Sequence, residues 1–157
     1  MIFEKAVRLL SRKGLRITFA ESCTGGLMAA SVTDVPGASA VFPGSAVTYS
    51  NGIKIKAVAV RPETIEKHTE VSRETAREMA AGAAAFFDAD IAVSATGYAG
   101  PGGGTENDPV GTVYVGVFVR GRVDAYRLFF PGRDRGQIRD AVVRFAAYIT
   151  ECEAARL

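Results

Sequence analysis

The stretch "ITFAESCTGGLMAA", residues 17–30, constrains the fold more than any other in the chain. An apolar run with the alternation of a buried strand passes through Glu, Ser, Cys and Thr, then through two glycines, straight into helix-forming residues. A strand that hands over to a helix within a few residues is the first half of a βα unit, and such a unit needs a sheet with helices packed on it. The glycines are its anomaly. Glycine in a helix costs about 1 kcal/mol relative to Ala, because it loses the most backbone entropy. A helix opened by Gly25 and Gly26 therefore implies a ligand that approaches bare backbone.

The rest of the chain supplies the other elements. Ile2, Phe3, Ala6, Val7, Leu9 and Leu10 recur at helical spacing, and Gly14 stops that first helix. The second helix runs from Gly25 to about Val32 and ends at "TDVPG", where Pro36 disfavours helix. "GSAVTYS" has strand character. "NGIKIKAVAV" alternates at Ile53, Ile55 and Ala57 yet suits a short helix, and is read as a turn and a short helix. "VSRETAREMAAGAAAFF" carries the clearest helical signal, with Ser72 as cap and Ala76, Met79, Ala80, Ala83 and Phe87 along one face. "DIAVSATG" reads as a buried strand that opens into the Gly/Pro-rich loop "YAGPGGGTENDP". "VGTVYVGVFV" and "VDAYRLFF", joined at "RG", form a hairpin. A last helix carries the stripe Ile138, Ala141, Val142, Phe145, Ala146 and Ile149. The order predicts a three-layer α/β/α sandwich whose mixed, mostly parallel sheet has about five strands.

With 157 residues, 48% of them hydrophobic, the chain is expected to form a single domain over 1–157. The formal net charge of +2 creates no field that would favour nucleic acid, and no basic stripe interleaves with aromatics. Cys23 and Cys152 offer no disulfide framework and no CxxC pair, which points to a reducing cytoplasm. The charged N-terminus excludes a signal-peptide core and a membrane span.

Ligands of open α/β sheets collect at the carboxyl ends of the parallel strands. Here the first three strands lead into "ESCTGG", "YSNGIK" and "ATGYAGPGGGT", so Ser22, Tyr49, Lys54 and Thr96 converge if those strands are neighbours. Ser22 at a helix start suits a nucleophile beside free amides, or else Ser22 or Thr24 simply caps the helix. The one histidine, His68, lies among charges, which leaves a lysine of depressed pKa as the base for a serine. Lys54 is favoured over Lys56 and Lys67. Cys23 is the rival nucleophile, and its ordinary fate is a small buried hydrophobe. The glycine loop is a weak phosphate motif, and Arg133, Arg135 and Arg139 offer forks for phosphate. One histidine and no acidic cluster leave no metal-ligand set.

"AESCTGG", "TDVPGAS", "YSNGIK", "VSRETAREMAAGA", "TGYAGPGGGTENDPVGTVYVG" and the arginines of "GRDRGQIR" together resemble the C-terminal domain of the CinA (competence/damage-inducible) proteins, also found as stand-alone nicotinamide mononucleotide amidohydrolases of the PncC type. The resemblance implies a three-layer sandwich, no cofactor, a small-molecule nucleotide substrate and homo-oligomers. It implies hydrolysis of the carboxamide of nicotinamide mononucleotide, with Ser22 as nucleophile, Lys54 as base, Tyr49 assisting proton transfer and Thr96 positioning the amide. Thr24, Gly25, Gly26, Gly100, Gly102, Gly103, Arg135 and Arg139 would bind substrate, Arg135 at the phosphate. A non-catalytic nucleotide-binding or regulatory module is the alternative. Two departures stand out. "HTEVS" replaces the family's usual "HGAVS", placing Thr69 and Glu70 where Gly and Ala are usual, and the spacing before Arg135 is one residue longer.

Overall fold

The alternation of apolar residues along the strands decides which helices cover which face of the sheet. The computed structural model describes residues 1–157. Its strands are β1 (Ile17–Glu21), β2 (Ser45–Val47), β3 (Ile91–Gly97), β4 (Thr112–Val119) and β5 (Arg122–Phe129). Its helices are α1 (Glu4–Lys13), α2 (Leu27–Thr33), α3 (Asn51–Val58), α4 (Pro62–His68), α5 (Arg73–Phe87) and α6 (Arg135–Arg156). The strand order is β2-β1-β3-β4-β5. β1 pairs in parallel with both β2 and β3, and the hairpin β4–β5 adds antiparallel to β3.

Ile17, Phe19, Ile91, Val93 and Val115 point into the larger core, which α1, α2 and α6 close with Phe3, Leu10, Met28, Ile138 and Val142. Ala20 and Ala92 point the other way, into a smaller cluster with Val58 from α3 and Met79 and Ala83 from α5. The result is the three-layer α/β/α sandwich that the element order predicts. The small residues on the second face let α5 lie close to the strands. A Cβ at Gly116 would stand 2.1 Å from the Ala76 carbonyl oxygen, and the Ser94 hydroxyl donates to that same oxygen at 2.6 Å. Any side chain at Gly116 would push α5 off the sheet.

Local signals account for most boundaries. Gly14 closes α1 in the left-handed conformation at φ 63°, and the Ser72 hydroxyl accepts from the Thr75 amide to cap α5. "NGIKIKAV" is the helix α3, capped by Ser50. One expectation needs correcting and one helix was not expected. α2 starts at Leu27, and Gly25 and Gly26 precede it at φ +59° and +99°. The glycines are thus required by a left-handed turn, which L side chains resist. The charged segment around Pro62 also forms a helix, α4, whose signals are Pro62 in the first turn and Glu63 beside it. No helix is long and apolar enough to cross a membrane.

Candidate active site

The turn after β1 is built around a carboxylate. Glu21, the last residue of β1 and fully buried, accepts hydrogen bonds from the amides of Gly26 at 3.0 Å, Met28 at 3.0 Å and Ala29 at 2.9 Å. It thereby takes the free amides of α2, the office that the sequence assigns to Ser22 or Thr24. The two left-handed glycines let the chain curl back far enough for this. With the carboxylate there, the amides of Gly26, Met28 and Ala29 are already engaged and are not free for an anion. This cap also leaves the Ser22 side chain free. The Ser22 amide donates to the Ala95 carbonyl at 2.9 Å, extending the β1–β3 ladder by one residue and fixing the serine at the strand end.

Lys54 reaches the same point from α3. Its side chain is fully buried, and Nζ lies 3.1 Å from Ser22 Oγ, 2.9 Å from the Thr48 carbonyl oxygen and 3.4 Å from that of Tyr49. β1 and β2 are neighbours, so the residues that follow β2 stand beside those that follow β1. Burial holds the Lys54 amine below its ordinary value of 10.5, and the nearby Glu70 carboxylate works in the opposite direction. Lys56 and Lys67, the rival bases, are exposed on α3 and α4.

Ser22 and Lys54 open on a cavity of about 180 Å³, lined also by Tyr49, Glu70, Thr96, Tyr98 and Arg135. The Tyr49 hydroxyl lies 3.2 Å from Arg135 Nη2, so only the backbone of Tyr49 reaches the lysine. The Thr96 hydroxyl donates to the Glu70 carbonyl at 2.6 Å. Arg135 also donates to the Gly100 carbonyl at 2.8 Å and stands exposed at the rim. Cys23 touches the cavity but packs into the larger core, and burial pushes its thiol up to about 12. Of the adjacent pair, Ser22 is the one that faces the amine.

Other expected binding residues stand elsewhere. Arg139 passes beneath the turn and donates to the Thr24 carbonyl at 2.9 Å, so it supports Gly25 from behind and does not line the cavity. Thr24 is fully buried, and Gly102 and Gly103 are exposed in the loop after β3, outside the cavity wall. Sequence reasoning missed Glu21 and Glu70. No local signal marks the first. The second is signalled only as an acid in the segment between two helices.

The loop that carries Glu70 is strained and firmly held. Thr69 adopts φ 70° and ψ 169°, a region that belongs almost entirely to glycine. Its carbonyl accepts from Thr75 Oγ1 at 2.7 Å and Ser72 Oγ at 3.1 Å, and its hydroxyl donates to the Val71 carbonyl at 3.1 Å. The departure at residue 69 therefore keeps a glycine-like backbone and presents residue 70 to the cavity. A wider groove of about 300 Å³ lies between α4, α5 and β5. Arg61 pairs there with Glu78, and His68 Nδ1 lies 3.9 Å from Glu74. No three His, Cys, Asp or Glu side chains are grouped so as to hold a metal ion.

Comparison with known proteins agrees with this architecture. The family described as the CinA C-terminal domain matches residues 1–152. A CinA-like protein of Dictyoglomus thermophilum is 50% identical over 136 residues, which cover 87% of this chain and 33% of that one. A relative from Halothermothrix orenii, named for competence-damage inducibility, is 49% identical over 142 residues, 90% of this chain and 34% of its own. The chain spans about a third of the length of these curated relatives. The crystal structure of a CinA superfamily protein from Klebsiella pneumoniae superposes with a TM-score of 0.94 at 35% identity, over 99% of this chain and 97% of that one.

Proposed function

Because the chain belongs to the CinA C-terminal domain family, we propose that it hydrolyses the carboxamide of nicotinamide mononucleotide to nicotinic acid mononucleotide and ammonia. The observation that carries this reading is the fully buried Lys54 amine 3.1 Å from Ser22 Oγ. A neutral amine has two N–H groups and one lone pair. With the N–H groups on the Thr48 and Tyr49 carbonyls, the lone pair is left for the Ser22 hydroxyl. A serine is a weak nucleophile until such a base takes its proton.

Ser22 Oγ attacks the carboxamide carbon as its proton moves to Lys54, and the carbonyl π pair becomes an oxyanion. The amides of Cys23 and Thr24, which donate to no backbone carbonyl, are the donors nearest in sequence to receive it. Collapse of the oxyanion breaks the C–N bond, and the proton on Lys54 leaves with the nitrogen as ammonia. Water then gives a proton to Lys54 and attacks the ester, and the acid departs as Ser22 is reprotonated. The cavity of about 180 Å³ is smaller than the ~300–1,000 Å³ that encloses a drug-sized ligand. It suits the ring, with the ribose phosphate extending toward Arg135.

The test is ammonia release from nicotinamide mononucleotide. The wild type turns over, and Ser22→Ala falls by on the order of 10³ or more. Nucleotide binding without ammonia, or full activity in Ser22→Ala, overturns the mechanism and favours a non-catalytic binding module.

A further inference from the structure

We propose that Glu70 is the counter-charge by which the Ser22 cavity selects a cationic ring, so that the site takes pyridinium carboxamides in preference to uncharged ones. This rests on the reading of the cavity as a carboxamide hydrolase. Glu70 is the one carboxylate among the residues that line it. Of the basic side chains near it in sequence, Lys67 is exposed, Arg73 donates to the Ala125 carbonyl and His68 Nδ1 lies 3.9 Å from Glu74. The lysine across the cavity is directed to Ser22, Thr48 and Tyr49. The carboxylate is left without a partner of its own.

Its backbone is held in place. The Glu70 carbonyl accepts from buried Thr96 at 2.6 Å, and the residue before it sits in the strained conformation at φ 70° that two hydroxyls lock. A backbone outlier over-determined by its surroundings marks a position whose side chain is aimed. Beside burial, which lowers the Lys54 amine and pushes the Tyr98 phenol up, the field of Glu70 reaches both groups, favouring the charged amine and raising the phenol further.

Val71, Tyr98 and Ala99 give the cavity apolar walls, and such walls weaken screening of a charge between them. A pyridinium ring spreads its charge over a flat apolar face. It needs no hydrogen-bond donor toward the carboxylate, only proximity in a medium of low dielectric. Both Glu70, half-buried, and Arg135, exposed, line the cavity, which supplies a negative charge for the ring and a positive one for the phosphate. Its charges thus match a zwitterion with a cationic ring and an anionic tail. Ring charge arriving beside Glu70 also offsets the pull of the carboxylate toward the Lys54 ammonium, so the same ligand that the carboxylate selects favours the neutral base.

The experiment titrates the Ser22→Ala protein by calorimetry with nicotinamide mononucleotide and with its dihydro form, in which the ring is uncharged. The oxidised form is expected to bind about tenfold tighter, the size of one charge contact in a partly screened site. Adding Glu70→Gln brings the ratio near one and leaves the dihydro affinity as it was. Glu70→Ala does the same, and circular dichroism verifies the fold of each, since the Thr96 bond goes to backbone. A ratio that survives both substitutions, or equal binding of the two forms with Glu70 present, overturns this inference and leaves the hydrolase reading standing. If folded Ser22→Ala binds neither form, the hydrolase reading fails and this inference falls with it.

Discussion

Replacing Glu21 by glutamine changes one oxygen to an amide nitrogen and alters almost no volume, so its effect isolates the cap that holds the serine turn. One carboxylate oxygen accepts from Gly26 and Met28 and the other from Ala29. If the glutamine oxygen keeps the pair, its NH2 faces the Ala29 amide at about 2.9 Å, donor against donor. That bond is lost and a part-buried N–H is left unpaired, which costs about 1–3 kcal/mol. The two remaining bonds pass from a charged to a neutral acceptor, which costs about a further 1 kcal/mol. The sum is about 3 kcal/mol, or about 10 °C in Tm for a chain of this size.

Urea denaturation followed by circular dichroism measures this directly. The consequence for activity should exceed the loss of folded protein, because Ser22 is the next residue and its approach to Lys54 depends on the curl of the turn. At temperatures where the variant remains folded, kcat is expected to fall by on the order of tenfold. A variant with unchanged urea midpoint and unchanged kcat would refute the reasoning. It would mean that α2 needs no carboxylate at its start and that Ser22 is held by its strand alone.

Cys23→Ser is expected to retain activity, and the wild type should resist iodoacetamide at neutral pH, since the thiol is buried and pushed up to about 12; rapid inactivation by the reagent would contradict this. The profile of kcat/KM against pH should rise as Lys54 loses its proton, with a midpoint below 10.5, because burial lowers the amine. Glu70→Gln should move that midpoint lower still, since the carboxylate favours the ammonium. Cys23 and Tyr98 do not account for such a rise, since burial pushes the thiol up to about 12 and the phenol above its ordinary value. A midpoint at or above the ordinary lysine value, or one that Glu70→Gln raises, would show that another group is the base.

Most of the fold was legible because its signals are local. Ala76, Met79 and Ala83 recur at helical spacing, and Ile91, Val93 and Ala95 form the buried run of a central strand. Ser22 and Lys54 were legible as partners only on the condition that β1 and β2 are neighbours, which the strand order supplies. Glu21 was not legible. Capping rules look to the residue just before the helix, whereas this carboxylate sits on a strand and reaches amides five to eight positions on. Glu70 was hidden for another reason. A charge between two helices reads as solvated, and only the fold of the 69–71 loop turns it toward the cavity. α4 was passed over because its seven residues hold little apolar periodicity.

The departures from ordinary folding rules gather around one cavity. A lysine is fully buried, a carboxylate lies without a basic partner, and a β-branched residue occupies a glycine conformation. Away from this cavity, Gly14 closes α1 as its residue type favours. Such clustering is expected where function opposes stability, and Thr69→Gly tests it. Glycine would relieve strain of about 1–3 kcal/mol. Against that stand the lost Thr69 hydroxyl bond to Val71, about 1 kcal/mol, and a more flexible unfolded chain, about another 1 kcal/mol. Denaturation should place the variant within about 1 kcal/mol of wild type, and a loss of more than about 2 kcal/mol would show that Thr69 is not strained. If the strain serves to aim residue 70, KM for a cationic substrate should rise in Thr69→Gly even though the fold is no weaker, because the loop then samples conformations in which the carboxylate leaves the ring.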